Sequence, residues 1–128
     1  MQISKLLSQD SNFPDSLRNI PLPPKQLYVL GNIGTQDKIA IVGTRSPTAY
    51  GKQVTYDFAF DLAKAGITVV SGLANGLDTD AHRGALDAGG HTIAVMGCGL
   101  DQIYPRSNRN LAIKNSQHNS GVYWGSCN

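Results

Sequence analysis

Between residues 38 and 96, short apolar runs alternate with longer segments that mix apolar and polar residues. Continuous apolar runs of this length are typical of strands buried on both faces of a sheet. The predicted strands are Ile39–Val42, Ile67–Val70 and Thr92–Met96, the predicted helices are 48–65 and 78–88, and a last helix is predicted to begin near Asn108. Because helical crossovers join the strands, the pattern predicts an α/β fold with a parallel, doubly wound sheet and right-handed connections.

The two predicted helices show different signals. In the first, apolar residues recur at helical spacing and form one stripe, which we expect to be buried. The stripe consists of Val54, Phe58, Leu62 and Ala65. In the second, Asp78 is the predicted N-cap, and Asp80 lies in the first turn, where the helix dipole favours a negative charge.

The first 37 residues are rich in turn formers, and four prolines interrupt any long helix. A short helix over 13–20 and a strand over Leu27–Leu30 are the predicted elements. We expect this segment to pack on the main unit, because its apolar residues would otherwise face water. The chain therefore divides into an N-terminal arm (1–37), a core (38–114) and a tail (115–128).

Composition narrows the class of protein. Hydrophobic residues make up 41% of the chain and charged residues 16%, as in a folded domain. The net charge of +2 excludes a histone-like polycation but not a local basic patch. No apolar run approaches a membrane span or a secretory signal. The two cysteines, Cys98 and Cys127, have no paired spacing, so we expect neither a metal site nor a disulfide framework, and a cytoplasmic location.

All three loops that follow the predicted strands carry glycine where the strand ends. They contain Gly43, Thr44, Arg45 and Ser46 in the first, Ser71, Gly72, Asn75 and Gly76 in the second, and Gly97 and Gly99 in the third. In parallel sheets ligands bind beyond these strand ends, and glycine lets main-chain N–H groups approach an anion. Together with the Arg45 guanidinium, the loops predict a phosphate-binding edge. The alternative is that the glycines only permit tight turns.

Known nucleotide motifs do not fit these loops. The first loop reads GTRSPTAYG rather than GxGxxG, no acidic residue follows the second strand, and a Walker loop is absent. A bound dinucleotide cofactor is therefore disfavoured. Asp78 and His82 are four residues apart on one helix and form either a metal pair or, more simply, a cap and a packed histidine. A cation-rich stretch over 102–114, containing Arg109, forms either a solvated face or an extension of the phosphate-binding edge.

Three strings resemble the DprA/Smf family of DNA-processing proteins. They are KIAIVGTRSPTAYG, VVSGLANGLDTDAHRGAL and TIAVMGCGLDQIYPRSNRNLA, and the resemblance covers residues 12–114. It implies a Rossmann-like three-layer αβα fold that binds and protects single-stranded DNA without a cofactor or catalysis. It also implies partners: the recombinase RecA and, in the full-length family, a second copy. By resemblance, Arg45 contacts phosphate, and Ser71, Gly72, Asn75 and Gly76 line the same pocket.

The competing interpretation is an enzyme of a related Rossmann-like class that acts on nucleoside monophosphates. It would bind phosphate at the same edge and use Asp78 or His82 as a base. The sequence shows no clear acid–base pair for this role.

The sequence departs from the family pattern in two places, and each departure leads to a prediction. Position 75 is often basic in the family and is Asn75 here, so we expect weaker and less salt-sensitive DNA binding. The resemblance stops near Lys114, and a three-stranded core would leave an apolar edge unpaired. The sequence therefore predicts a truncated product, an incomplete domain with a tail of foreign sequence. The alternative is a short variant whose tail covers the sheet.

Overall fold

The computed structural model describes residues 3–31, 34–96 and 121–124. Its elements are β1 Ile3–Leu7, α1 Asp15–Arg18, β2 Gln26–Gly31, β3 Lys38–Ala40, α2 Ala49–Lys64, β4 Thr68–Ser71, α3 Leu77–Asp87, β5 Thr92–Met96 and β6 Gly121–Trp124. The strands form one sheet in the order β1-β2-β6-β5-β4-β3. Strands β3 to β6 are parallel to one another, and β1 and β2 add an antiparallel pair beside β6. The predicted α/β class and parallel sheet are confirmed.

Helices α2 and α3 pack on one face of the sheet through small side chains. Ala59 and Ala63 of α2 and Ala81 and Ala85 of α3 enclose Val69 of β4, and all five are buried. At Gly84 the helix backbones come very close, since a Cβ there would lie 2.4 Å from the Tyr56 carbonyl oxygen. Alanine and glycine therefore set the helix spacing on this face.

The N-terminal arm covers part of the other face. Phe13 is 2% exposed and packs with Leu27, Val29 and Ile93 in a second core cluster. The prediction that the arm packs on the main unit is confirmed, and α1 and β2 lie within or around their predicted ranges. The strand β1 was not predicted, because its five residues, ISKLL, do not alternate regularly between apolar and polar. Since β1 and β2 belong to the same sheet as the core strands, the arm is an extension of that sheet.

The prediction that the apolar stripe of α2 is buried is wrong. The residues that face inward are Thr55, Ala59 and Ala63, whereas Val54 is 43% and Phe58 60% exposed. The prediction assumed that the largest apolar side chains face the core. In the structure, close contact with α3 selects the small ones instead.

Two further expectations are corrected. Strand β3 is exposed along its whole length, because it is the edge of the described sheet rather than a strand buried on both faces. Helix α3 is capped by Gly76 and begins at Leu77, so Asp78 lies in its first turn and is not the N-cap.

The tail contributes a strand. The main chain of β6 pairs in parallel with β5 and antiparallel with β2, so the expected open edge at β5 does not exist. The tail strand therefore covers the edge of the sheet at β5. The predicted helix near Asn108 lies outside the described residues.

The longest helix in the described part of the chain, α2, has 16 residues, and no helix there is long and apolar enough to cross a bilayer.

Candidate nucleic-acid interface

The loops that follow β3 and β4 touch each other at the carboxyl edge of the sheet. The Leu77 N–H donates to the Thr44 carbonyl oxygen at 3.2 Å. A Cβ on Gly43 would lie 2.4 Å from Leu77 Cδ1, so the first loop rests directly on the start of α3. These contacts bring the predicted site residues Gly43–Ser46 next to Asn75 and Gly76.

Gly76 makes the closest approach between the loops. Its φ of +86° and ψ of −131° lie where residues with a side chain are strained. A Cβ there would lie 2.3 Å from the Thr44 carbonyl oxygen and 2.8 Å from Arg45 Cα. Glycine is therefore required at this position for both conformation and space, and it fixes the path of the main chain at Arg45.

The start of α2 is the more positive of the two helix ends at this edge. The Thr48 hydroxyl accepts from the Gly51 N–H at 3.0 Å, and the first turn of α2 contains no acidic residue. The first turn of α3 instead contains Asp78 and Asp80, both buried, whose carboxylates offset the positive end of that helix. An approaching anion is therefore attracted to the α2 end, where Arg45 lies.

Arg45 is exposed and makes no hydrogen bond or ion pair with any residue in the described ranges. Ser46 and Asn75 are exposed beside it in the two loops. The Ser46 N–H donates to Thr44 Oγ1 at 3.1 Å. This hydrogen bond fixes the turn that contains Arg45. The guanidinium is thus held on an ordered loop while its donors face solvent.

Ser71 and Gly72 have internal hydrogen bonds. The Ser71 hydroxyl donates to the Ile41 carbonyl oxygen at 2.6 Å, and the Gly72 N–H donates to Asp78 Oδ2 at 3.2 Å. These groups support the β4–α3 loop from beneath. The predicted role of Ser71 and Gly72 as direct phosphate donors remains a prediction.

A buried histidine holds the same loop. Leu73, a residue with a φ of +63°, donates its N–H to His82 Nε2 at 3.3 Å. His82 Nδ1 lies 2.8 Å from the Thr92 hydroxyl, so both ring nitrogens have partners. This is the packed-histidine interpretation of the Asp78–His82 pair, with Asp78 bound to Gly72. Because His82 is fully buried, its pKa falls from 6.5 to about 3.

The buried histidine predicts an acid-sensitive fold. The pKa of His82 is lower in the folded chain than in the unfolded one, so its contribution to stability is complete above pH 6.5 and declines as the pH falls toward 3. Between pH 7 and pH 5 we expect the free energy of unfolding to fall by about 2 kcal/mol from this group alone. Urea denaturation at a series of pH values measures it. The His82→Gln variant is the control, and an unchanged pH slope in that variant contradicts the prediction.

Leu77 was not singled out in the sequence analysis. That residue joins the two loops through its side chain and its N–H. The only signal was an apolar residue directly after a glycine at a helix start, which is too common to be specific. The predicted site residues Gly97, Gly99 and Arg109 lie outside the described residues.

The family model and the similar proteins all indicate the same family. The family model of DNA recombination-mediator protein A matches residues 4–122, a wider range than the three strings of the sequence suggested. Protein Smf of Synechocystis sp. is 46% identical over 112 residues, which are 83% of this chain and 28% of that protein. DNA processing protein DprA of Bacillus subtilis is 39% identical over 119 residues, which are 91% of this chain and 40% of that protein.

Two solved structures share the fold. DNA processing protein A of Helicobacter pylori, described as having a unique single-stranded DNA binding mode, superposes with a TM-score of 0.82 at 38% identity. It covers 96% of this chain, and the chain covers 55% of it. DprA of Streptococcus pneumoniae superposes with a TM-score of 0.84 at 32% identity, over 96% of this chain and 44% of its own length. The chain thus spans about half of these structures, and 28–40% of the two relatives above.

Proposed function

The chain belongs to the family of DNA recombination-mediator protein A, and from that premise we propose that it binds and protects single-stranded DNA. In this proposal the bound strand is then passed to the recombinase RecA in the cytoplasm. The observation that carries the proposal is Arg45. It lies exposed at the uncompensated positive end of α2, on a loop that Gly76 and Leu77 hold in place.

This geometry suits a ligand recognised by its backbone. A protein that binds any sequence needs cations and N–H donors for phosphates, not base-specific contacts. Arg45 offers a planar guanidinium that matches two phosphate oxygens. The adjacent helix end adds partial positive charge without adding sequence preference.

The structure gives little support to the competing nucleotide-hydrolysing enzyme. Its two candidate bases have structural partners, since Asp78 Oδ2 accepts from Gly72 and His82 is buried between Leu73 and Thr92. A histidine with a pKa of about 3 and no exposed surface cannot exchange a proton with a substrate at neutral pH. We therefore propose a binding role without catalysis.

A direct test uses the purified 128-residue chain with a fluorescent oligo-dT and, separately, with nucleoside monophosphates. The proposal expects a rise in anisotropy that declines with salt, and no hydrolysis. Turnover of a nucleotide without oligo-dT binding contradicts it. Transfer to RecA is tested by adding RecA to the protein–DNA complex and measuring the rate of filament formation, which the proposal expects to increase.

Asn75 gives a prediction for salt dependence. Asn75 is exposed in the β4–α3 loop and carries no charge, so it neutralises no phosphate. We expect Asn75→Lys to tighten oligo-dT binding several-fold at low salt and to steepen the slope of log K against log salt by about 0.7. The matched control is Asn19→Lys, which adds the same charge at an exposed position of the arm. Equal slopes for the two variants contradict the prediction.

A further inference from the structure

An exposed tyrosine follows the Arg45 loop. Tyr50 is the second residue of α2, and its relative exposure is 80%. Its side chain makes no hydrogen bond and no ring contact with any residue that the structure describes. Its sequence neighbours Ala49 and Gly51 are small, so neither can cover a face of the ring. The aromatic face is therefore open to a ligand.

The geometry of a helix directs this ring toward the edge of the sheet where Arg45 lies. Helical side chains point back toward the N-terminus, so a residue covers the surface of the turn before its own Cα. For Tyr50 that turn contains residues 46–48, which follow directly on Arg45. The Thr48 hydroxyl accepts from the Gly51 N–H at 3.0 Å, which holds the same turn in place. The ring and the guanidinium thus lie beside the same ordered turn.

The chain around Tyr50 is positively charged. Between residues 39 and 56 the only charged residues are Arg45 and Lys52. Both are exposed, and they lie five residues before and two residues after Tyr50. Proteins that bind single-stranded nucleic acid combine cations for the phosphates with aromatic rings on which bases stack. Tyr50 and its two neighbouring cations provide both parts of that combination.

Phe58 shows that exposure alone does not provide it. Phe58 is 60% exposed and lies two helical steps of four residues after Tyr50 on the same helix. Asp57 and Asp61 are exposed beside it, and their carboxylates repel a phosphate backbone. A base stacked on Phe58 would bring its phosphates toward these acids. Phe58 is therefore a matched control for Tyr50.

The ring also supplies a distinction that Arg45 cannot make. Single strands and duplexes both carry phosphates, so a phosphate contact alone does not separate them. In a duplex each base is held inside the stack, where a side chain cannot reach its face. In a single strand a base can turn onto an aromatic ring whatever its sequence, because every base has a π face.

We propose that Tyr50 stacks on an unpaired base of a strand whose phosphate lies on Arg45, and that this contact gives the site its preference for single strands over duplex DNA. The inference rests on the proposed function, since it takes single-stranded DNA as the ligand. Arg45 provides the charge and Tyr50 determines the specificity. Because the ring is uncharged, stacking adds affinity without changing the salt dependence.

The test compares three fluorescent probes of equal length: oligo-dT, an abasic strand with the same phosphates, and a dA·dT duplex. Anisotropy measures the affinity of the full 128-residue chain for each. We expect Tyr50→Ala to lower the affinity for oligo-dT about tenfold and to leave the slope of log K against log salt unchanged. On the abasic strand and the duplex we expect it to bind like the unmodified chain. Alanine favours the helix and Tyr50 is exposed, so α2 stays intact.

Two further variants complete the design. Tyr50→Phe keeps the ring and is expected to retain oligo-dT binding, whereas Phe58→Ala removes a ring beside the acids and is expected to change nothing. Equal oligo-dT affinity of Tyr50→Ala and the unmodified chain overturns the inference. An equal loss on the abasic strand, or an equal loss with Phe58→Ala, also overturns it. These results leave the proposed function standing, because the unmodified chain still binds oligo-dT. Failure of the unmodified chain to bind oligo-dT rejects the proposed function, and the stacking contact with it.

Discussion

Replacing Arg45 by alanine is expected to reduce the affinity for oligo-dT at least tenfold at low salt. Arg45 is the exposed cation of the β3–α2 loop, and the first turn of α2 beside it contains no acidic residue. Removing one charge from a phosphate contact lowers the slope of log K against log salt by about 0.7 for a single strand. The loss of affinity should therefore shrink as salt increases, which distinguishes a phosphate contact from a general loss of folding.

Two variants give this experiment its controls. Arg45→Lys keeps the charge but loses the planar fork, so we expect it to retain the salt slope and only part of the affinity. Arg83→Ala removes an exposed cation from α3, beyond its first turn, and is expected to bind like the unmodified chain. Fluorescence anisotropy across a salt series measures all three. Equal retention of oligo-dT by Arg45→Ala and Arg83→Ala would show that the loop does not contact the backbone.

The alternation of strands and helices was predictable, because the signals for a strand or a helix lie in residues close to one another in the sequence. Helix α2 begins after Thr48, whose hydroxyl accepts from the Gly51 N–H. The strands β4 and β5 contain the apolar runs Val69–Val70 and Ile93–Met96. Which face of α2 is buried was not predictable in this way. Phe58 is exposed and Ala59 is buried because α3 lies close on that side, and the sequence of α2 alone does not contain that distance.

The same distinction applies to the candidate interface: part of it follows from the local sequence, and part depends on contacts that only the fold creates. Glycines after successive parallel strands predicted that the loops meet at one edge, and Gly43 and Gly76 do meet there. The bonds that support these loops join residues whose proximity only the fold creates. The Ser71 hydroxyl binds the Ile41 carbonyl 30 positions away, and Asp78, expected as a cap, binds Gly72 instead. Sequence spacing indicates which residues reach the edge, but not which of their donors remain available to a ligand.

Gly76→Ala is expected to disrupt both the fold at this edge and DNA binding. The new Cβ would lie 2.3 Å from the Thr44 carbonyl oxygen and 2.9 Å from the Arg45 carbonyl carbon. Main-chain atoms cannot rotate away as a side chain does, so the two loops must separate. The positive φ of +86° adds strain, and together we expect a loss of about 3 kcal/mol or more in the free energy of unfolding.

The chain supplies a matched control in Gly66. Its φ is +88°, nearly the same as that of Gly76, but among the described residues, its two chain neighbours aside, no atom lies within 4 Å of the position of its Cβ. Gly66→Ala therefore carries the conformational strain without the collision, and we expect it to cost about 1–2 kcal/mol. The difference between the two variants in urea denaturation isolates the contact between the loops. Oligo-dT binding of each, measured at a temperature where both are folded, then shows whether displacement of the Arg45 loop abolishes DNA binding. Equal stability and equal binding of the two variants would mean that the loops do not depend on each other.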